Sequence, residues 1–210
     1  MEKIKYAIFD VGQTIYPFNL KALNNFMQKE SSYPELFADN SPVFAYDYNP
    51  YMKGQIDNNQ FIKELCENCH VPYSKKTAIE INKALHLGCG KPFDETIKAM
   101  HQLQLADVEL AILSNALPLL HDTKIDLVKP EFAFTSYNLG LLKPDVKIYQ
   151  AVAKKLNTPY EQLLFIDDKE KNVAAAKTLG IKGIVYNRKT ILQEINTFLP
   201  QKPINFCHSR

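Results

Sequence analysis

The sequence predicts an α/β protein built on a doubly wound parallel sheet, with a mostly helical segment inserted after the first strand. Three observations predict it. Short, largely apolar runs at Tyr6–Phe9, Glu109–Leu113, Phe132–Thr135, Leu163–Ile166 and Gly183–Tyr186 have the length of buried strands. Amphipathic helical patterns separate the later runs, and crossovers of that length join parallel strands rather than hairpin partners. Between the first and second runs lies a segment, roughly 15–90, whose periodicity is mainly helical. The expected organisation is a core formed by 1–14 and 91–210, and an inserted unit formed by 15–90.

Taken in order, the chain supports each element. Leu20, Leu23, Phe26 and Met27 share one face of a helix running to about Glu30. Residues 32–51 read as irregular, with Pro34, Pro42 and Pro50 set among six aromatic side chains from Tyr33 to Tyr51. Asp57 with Gln60 has the form of a capping box for a helix through Asn68. Ser74 caps another that reaches Leu87 and is stopped by Gly88 and Gly90. Further helices are predicted at Asp94–Leu105, Asp145–Leu156, Lys169–Leu179 (ended by Gly180) and near Ile191–Phe198.

Composition narrows the function classes. With 210 residues, 46% hydrophobic and 23% charged, the chain can bury one good-sized core and a smaller second unit. A net charge of +2 gives no case for nucleic acid or a membrane surface. Arginine, the residue favoured for planar bidentate recognition of phosphates and bases, occurs only at Arg188 and Arg210. Tyr6–Phe9 is too short for a signal-peptide core, and no apolar run approaches the ~18 residues of a membrane span. These features predict a cytoplasmic protein with its four cysteines reduced, a monomer or homodimer binding neither nucleic acid nor membrane.

Open parallel sheets bind ligands beyond the carboxyl ends of their strands. Four sites at strand ends or just beyond carry polar residues of complementary type: Asp10, Ser114-Asn115, Lys143 and Asp167-Asp168. A metal-assisted phosphoryl transfer needs this inventory. Asp10 is a hard oxygen ligand for Mg²⁺ and a nucleophile able to form an aspartyl phosphate. Asp168 supplies a second carboxylate for the metal, while the Ser114 hydroxyl and the Asn115 amide hold phosphate oxygens. Lys143 offsets the charge of a carboxylate attacking an anion. Gly12 is read as the residue that lets the backbone turn sharply after Asp10.

The set Asp10-Val11-Gly12-Gln13-Thr14, Ile112-Leu113-Ser114-Asn115, Lys143-Pro144 and Phe165-Ile166-Asp167-Asp168 followed by Asn172 resembles the haloacid dehalogenase-like hydrolase superfamily. Order and spacing agree over essentially the whole chain. The helical insert is similar to that superfamily's type I cap, and Met52-Lys53-Gly54-Gln55-Ile56 to the turn before a cap helix. The resemblance implies a Rossmann-like core beneath a small helical cap that chooses the substrate. It implies Asp10 as nucleophile and Mg²⁺ ligand, Asp168 as direct metal ligand, and the Gly12 carbonyl as a further one. Asp167 and Asn172 would act from behind these ligands, and Ser114 and Lys143 would bind the phosphoryl group. The implied reaction is hydrolysis of a small phosphometabolite, with sugar phosphates favoured and nucleotides next.

One position departs from the phosphatase pattern. Those enzymes carry a second aspartate two residues after the nucleophile as general acid, and here Gly12 stands there. A positioned acid is worth about 10²–10⁴ in rate. Three readings follow: a leaving group of low pKa, a proton supplied from Asp39, Asp47, Tyr16 or Asp57, or a silent binding protein that keeps the fold. The superfamily's dehalogenases also lack the second aspartate, but they need no metal and use a cap arginine, and no arginine precedes Arg188.

Other signals have plainer explanations. Cys66-Glu67-Asn68-Cys69-His70 matches the haem-attachment spacing, and Cys66, Cys69, His70 and Cys89 would make a zinc set. Cys66 and Cys69 also continue the apolar face of Phe61, Ile62 and Leu65, so they are read as core. Gly88-Cys89-Gly90-Lys91 lacks the other residues of a phosphate loop. His86, His101, His121 and His208 have no partner at ligand spacing. The aromatic group from Tyr33 to Tyr51 is read as packing, with a stacking surface for a base or sugar as the alternative.

Overall fold

The computed structural model describes residues 2–38, 41–120 and 127–199. Five strands, β1 (Tyr6–Phe9), β2 (Glu109–Ser114), β3 (Ala133–Thr135), β4 (Leu163–Asp167) and β5 (Lys182–Val185), form one sheet in the order β3-β2-β1-β4-β5. Every pairing is parallel. Alternation sends Ala7 and Phe9 to one face, with Leu110, Ile112, Leu164 and Ile166, and Tyr6 and Ile8 to the other, with Ala111, Leu113 and Phe165. Helices cover both faces, so the strands read as continuous apolar runs rather than alternating ones.

The first face packs on α6 (Asp94–Gln104, through Ala99, Met100 and Leu103) and α10 (Ile191–Asn196, through Ile191 and Ile195). The second packs on α8 (Val146–Lys155, through Ile148, Tyr149 and Val152) and α9 (Glu170–Lys177, through Val173 and Ala176). A single turn, α7 (Ser136–Leu139), follows β3 and closes on Gly140 at φ 67°. Sequence periodicity does not register a turn this short.

The chain leaves β1 for β2 and β3 on one side, then returns to β4 and β5 on the other. That reversal opens the crevice in which open sheets hold ligands. Register places it closely: Phe9 pairs with Ile112 and with Ile166, and the Asp10 N–H donates to the Ile166 carbonyl at 2.8 Å.

The inserted helices have a core of their own. α1 (Lys21–Glu30), α4 (Asn58–Asn68) and α5 (Lys75–Leu87) bury Leu23, Met27, Phe61, Leu65, Ile81 and Leu85, joined by Leu117 from beyond β2. Asp57 and Ser74 cap α4 and α5 as predicted, accepting from Gln60 N at 2.8 Å and Thr77 N at 3.0 Å. Gln60 directs its amide nitrogen onward to Glu64. The stretch read as irregular contains three single turns: a 3₁₀ turn at Pro34–Phe37, α2 (Pro42–Ala45) and α3 (Asn49–Met52). Each has proline at its first or second position, where a missing N–H costs nothing. Gly54 then turns the chain at φ 68° into α4. Part of the aromatic group packs as core: Phe37 and Tyr51 are buried, and Tyr51 stacks on Phe61 with ring centres 4.0 Å apart. Half-buried Tyr46 and Tyr48 meet edge to face, while Tyr33 and Phe44 are exposed. No helix among the described residues is long and apolar enough to cross a membrane.

Gly88 acts through space rather than as a left-handed cap, because its φ is −72°. A Cβ there would overlap the Asn19 carbonyl oxygen, and one at Gly90 would overlap the Pro17 ring. The two connections between insert and sheet run side by side at this point, with Asn19 N donating to Gly88 O at 3.0 Å and Gly90 N to Pro17 O at 2.9 Å. Gly88→Ala should therefore lower stability in urea unfolding by about 1–3 kcal/mol. Gly12→Ala, where a Cβ meets nothing within 4 Å, should leave the urea midpoint near that of the parent chain.

Candidate active site

Lys143 is the hub of the crevice. Its side chain is 1% exposed, and its ammonium donates to Asp10 Oδ1 at 2.6 Å, Asp167 Oδ2 at 2.7 Å and the Leu113 carbonyl at 2.8 Å. One cation thus joins the ends of β1, β2 and β4. Asn115 fixes its backbone, with Nδ2 donating to Lys143 O at 3.0 Å and Oδ1 accepting from Lys143 N at 2.9 Å. The Lys143-Pro144 peptide is cis. The Asn115 amide, expected at the phosphate, is turned onto Lys143 instead.

Asp167 is fully buried and saturated with donors. Asn172 Nδ2 reaches both of its oxygens at 2.9 Å, and the Lys169 N–H donates to Oδ1 at 2.8 Å. Asp168 differs: its Oδ1 is buried without any hydrogen-bond partner. Carboxylate oxygens of Asp10, Asp167 and Asp168 lie within 4.8 Å of one another. Three carboxylates against the charges of Lys143 and Lys169 still leave an excess of negative charge, and the orphaned oxygen marks where a cation fits. The donor set is all hard oxygen, suited to Mg²⁺. Asp10 and Asp168 are the carboxylates left to hold such an ion, while Asp167 is spent on Lys143, Asn172 and Lys169.

Burial raises the Asp10 carboxyl above its ordinary 3.8, with Lys143 opposing and the Asp167 charge reinforcing the rise. Burial also raises Asp168, again reinforced by Asp167.

The loop after β1 corrects one expectation. The left-handed residue is Gln13 at φ 61°, not Gly12. Gln13 Nε2 donates to Phe18 O at 2.7 Å, and the N–H groups of Ile15 and Tyr16 converge on the Val11 carbonyl at 2.8 and 3.0 Å. These bonds hold a conformation that costs a non-glycine residue of order 1 kcal/mol. Buried Thr96 on α6 adds a bond to Thr14 O at 2.7 Å and meets the Tyr186 hydroxyl.

A cavity of about 360 Å³ opens over Asp10. Ser114, Asn115, Lys143, Asp168 and Asn172 line its floor, and Phe18, Leu20, Tyr48, Met52 and Leu117 close it from the helical side. Gln13 and Lys169 also reach it. The sequence assigns neither a role in the site, although Gln13 lies within the first motif and Lys169 adjoins the last. Its apolar side was not legible, because those positions come together only through packing of the insert.

The other signals that fall on described residues lie away from this cavity. Asp47 Oδ1 accepts from Asn49 N and Asp57 caps α4, and neither lines the cavity. Tyr16 lines a neighbouring pocket, while Asp39, His121 and His208 lie outside the described residues. Cys66 and Cys69 are buried in the core of the insert, and burial pushes their thiols up to about 11 and about 12, so they are poor ligands. Cys89 bridges to Phe18 between the two connections. His86 Nδ1 donates to the Asn82 carbonyl at 2.9 Å, and His101 is exposed.

A parallel sheet with an acidic nucleophile candidate at the end of β1 and a buried lysine between strand ends defines a hydrolase-type α/β site. A family model described as haloacid dehalogenase-like hydrolase matches residues 4–180, and the chain belongs to that family. The sesquiterpene phosphatase astK of Aspergillus oryzae is 25% identical over 194 residues, covering 86% of this chain and 88% of that protein. An (S)-2-haloacid dehalogenase of Pseudomonas fluorescens is 22% identical over 200 residues, covering 90% and 87%. Against two larger relatives the chain spans only 11% and 14% of their length. The fold is that of the enzyme bt-2542 from Bacteroides thetaiotaomicron, with a TM-score of 0.73 and 19% identity over 89% of this chain and 95% of that one. A second structure of bt-2542 is a complex with magnesium and inorganic phosphate.

Removing one partner of a buried charge set leaves the others uncompensated, so Lys143→Met should destabilise the fold by about 3–5 kcal/mol in urea unfolding. Between pH 3.8 and the raised values of Asp10 and Asp168, the folded chain binds more protons than the unfolded one. Metal-free protein should lose stability as pH rises through that window. Mg²⁺ on the ionised carboxylates should oppose the loss, so the rise in Tm with Mg²⁺ should be larger at neutral than at acid pH and smaller in Asp168→Asn.

Proposed function

We propose that the protein is a Mg²⁺-dependent phosphatase that transfers the phosphoryl group of a small phosphomonoester through Asp10. The observation that carries this reading is the Lys143 ammonium held between Asp10 and Asp167, beside the orphaned Asp168 oxygen. Mg²⁺, when bound by Asp10, Asp168 and the Gly12 carbonyl, would neutralise phosphate oxygens. Asp10 attacks phosphorus, the bond to the ester oxygen breaks, and water then hydrolyses the aspartyl phosphate. Lys143 favours the ionised form of Asp10 against the effect of burial and balances the charge that builds as it meets an anion. Ser114, on the floor of the cavity, donates its hydroxyl to the phosphoryl group. The phosphatase astK and the magnesium and phosphate complex of bt-2542 support the reading.

Among the described residues, no carboxylic acid besides Asp10 and Asp168 lines the cavity. The Tyr48 hydroxyl, which does, donates to Val43 O at 2.9 Å, and burial raises its pKa. The reaction therefore suits an ester oxygen that leaves without a proton. Dehalogenation is disfavoured because no arginine among the described residues lines the cavity; Arg188 pairs with Glu95 at 3.3 Å and lies over Phe93. The second reading, a silent binding protein, is favoured by Gly12 alone.

With Mg²⁺ the protein should release phosphate from p-nitrophenyl phosphate, and Asp10→Asn should abolish release. Phenyl phosphate, a poorer leaving group, should be hydrolysed far more slowly. Gly12→Asp should narrow that gap, by up to about 10²-fold for a positioned acid. Phosphate and metal binding without turnover of any ester would establish the silent reading.

A further inference from the structure

We infer that the group esterified to the phosphate is apolar, and that Gly12 is the residue that admits it. The inference rests on the phosphatase reading of the same site. Beside the cavity over Asp10 lies a second pocket of about 180 Å³, lined by Val11, Tyr16, Ile112, Leu120, Ala133 and Tyr137. The two share Gly12, Phe18, Ser114, Asn115 and Leu117, so they form two lobes of one space that meet above the phosphate floor. Both lobes present mainly carbon.

Several of the polar side chains lining the lobes are already engaged by the protein itself. Gln13 Nε2 is held by Phe18 O, both ends of the Asn115 amide by the Lys143 backbone, and the Tyr48 hydroxyl by Val43 O. A sugar brings several hydroxyls, each costly to bury without a partner. In the second lobe, Thr135 Oγ1 is buried without a partner, which suits one polar atom on an otherwise apolar body.

Gly12 stands where the lobes join. Its φ is not left-handed, and a Cβ there would meet nothing within 4 Å. Neither the backbone nor packing demands glycine. What its missing side chain leaves is open passage, and a carboxylate at that position would place charge in it. Loss of the general acid and entry to the apolar lobe are thus one change.

Alkylphosphonates from ethyl to octyl, titrated calorimetrically into Mg²⁺-loaded protein, test this without requiring turnover. Affinity should rise about threefold to fourfold per methylene, with one ligand per chain displaced by inorganic phosphate. Gly12→Asp should flatten the rise and Gly12→Ala should keep most of it. In turnover, 4-alkylphenyl phosphates share one leaving oxygen, and their KM should fall along the same series. A flat series, or a rise that phosphate does not displace, overturns the inference. If p-nitrophenyl phosphate is hydrolysed while the series is flat, the phosphatase reading survives alone. A rising series without hydrolysis keeps the apolar pocket and removes the phosphatase reading.

Discussion

The Lys143 ammonium, enclosed between two carboxylates and a main-chain carbonyl, is the constraint on which the site depends. A lysine this deeply buried is stable only as part of a fully paired set, and its partners come from three different strand ends. The sheet order supplies that meeting point by setting β1 between β2 and β4. Asn115 and Asn172 act one step further out: the first holds the Lys143 backbone and the second holds the Asp167 carboxylate. With Asp167 and Lys143 locked, Asp10 and Asp168 are left facing the cavity with more negative charge than the protein itself neutralises.

Strand ends were the most legible part of the sequence, for a physical reason. A buried parallel strand is a short apolar run, and a charged residue closing such a run has to sit at the mouth of the sheet. Asp10, Ser114-Asn115 and Asp167-Asp168 were placed this way, and Lys143 as a cation just beyond a strand. The caps at Asp57 and Ser74 were readable because a side chain there bonds to a backbone three residues away. Features that depend on distant packing were not. The three proline-started turns over 34–52 gain their order from Phe61 and its neighbours, and α7 is a single turn. The left-handed residue at Gln13 was credited to Gly12, because propensity points to glycine while the hydrogen bond to Phe18 decides. The Asn115 amide was assigned to phosphate because its type fits, yet its position beside Lys143 commits it elsewhere.

In the proposed reaction, Gly12 links chemistry with selectivity. In most settings a glycine after a strand is explained by backbone freedom, and here that explanation fails on geometry. What remains is volume: the position opens the cavity over Asp10 toward a second, apolar lobe. An enzyme that gives up a proton donor there exchanges rate on poor leaving groups for room, a trade that makes sense only if the leaving group is both apolar and able to depart unaided. The helical insert completes the arrangement by covering the phosphate floor with Phe18, Leu20, Tyr48 and Met52.

The central claim is that Asp10 becomes covalently phosphorylated, and direct trapping tests it. Mg²⁺-loaded protein is mixed with p-nitrophenyl phosphate, quenched in acid, reduced with borohydride and sequenced by mass spectrometry. The account predicts that position 10, and no other carboxylate, is converted to homoserine, the mark of an aspartyl phosphate. Release of nitrophenol with position 10 unmodified, or with the mark on Asp167 or Asp168, would contradict it.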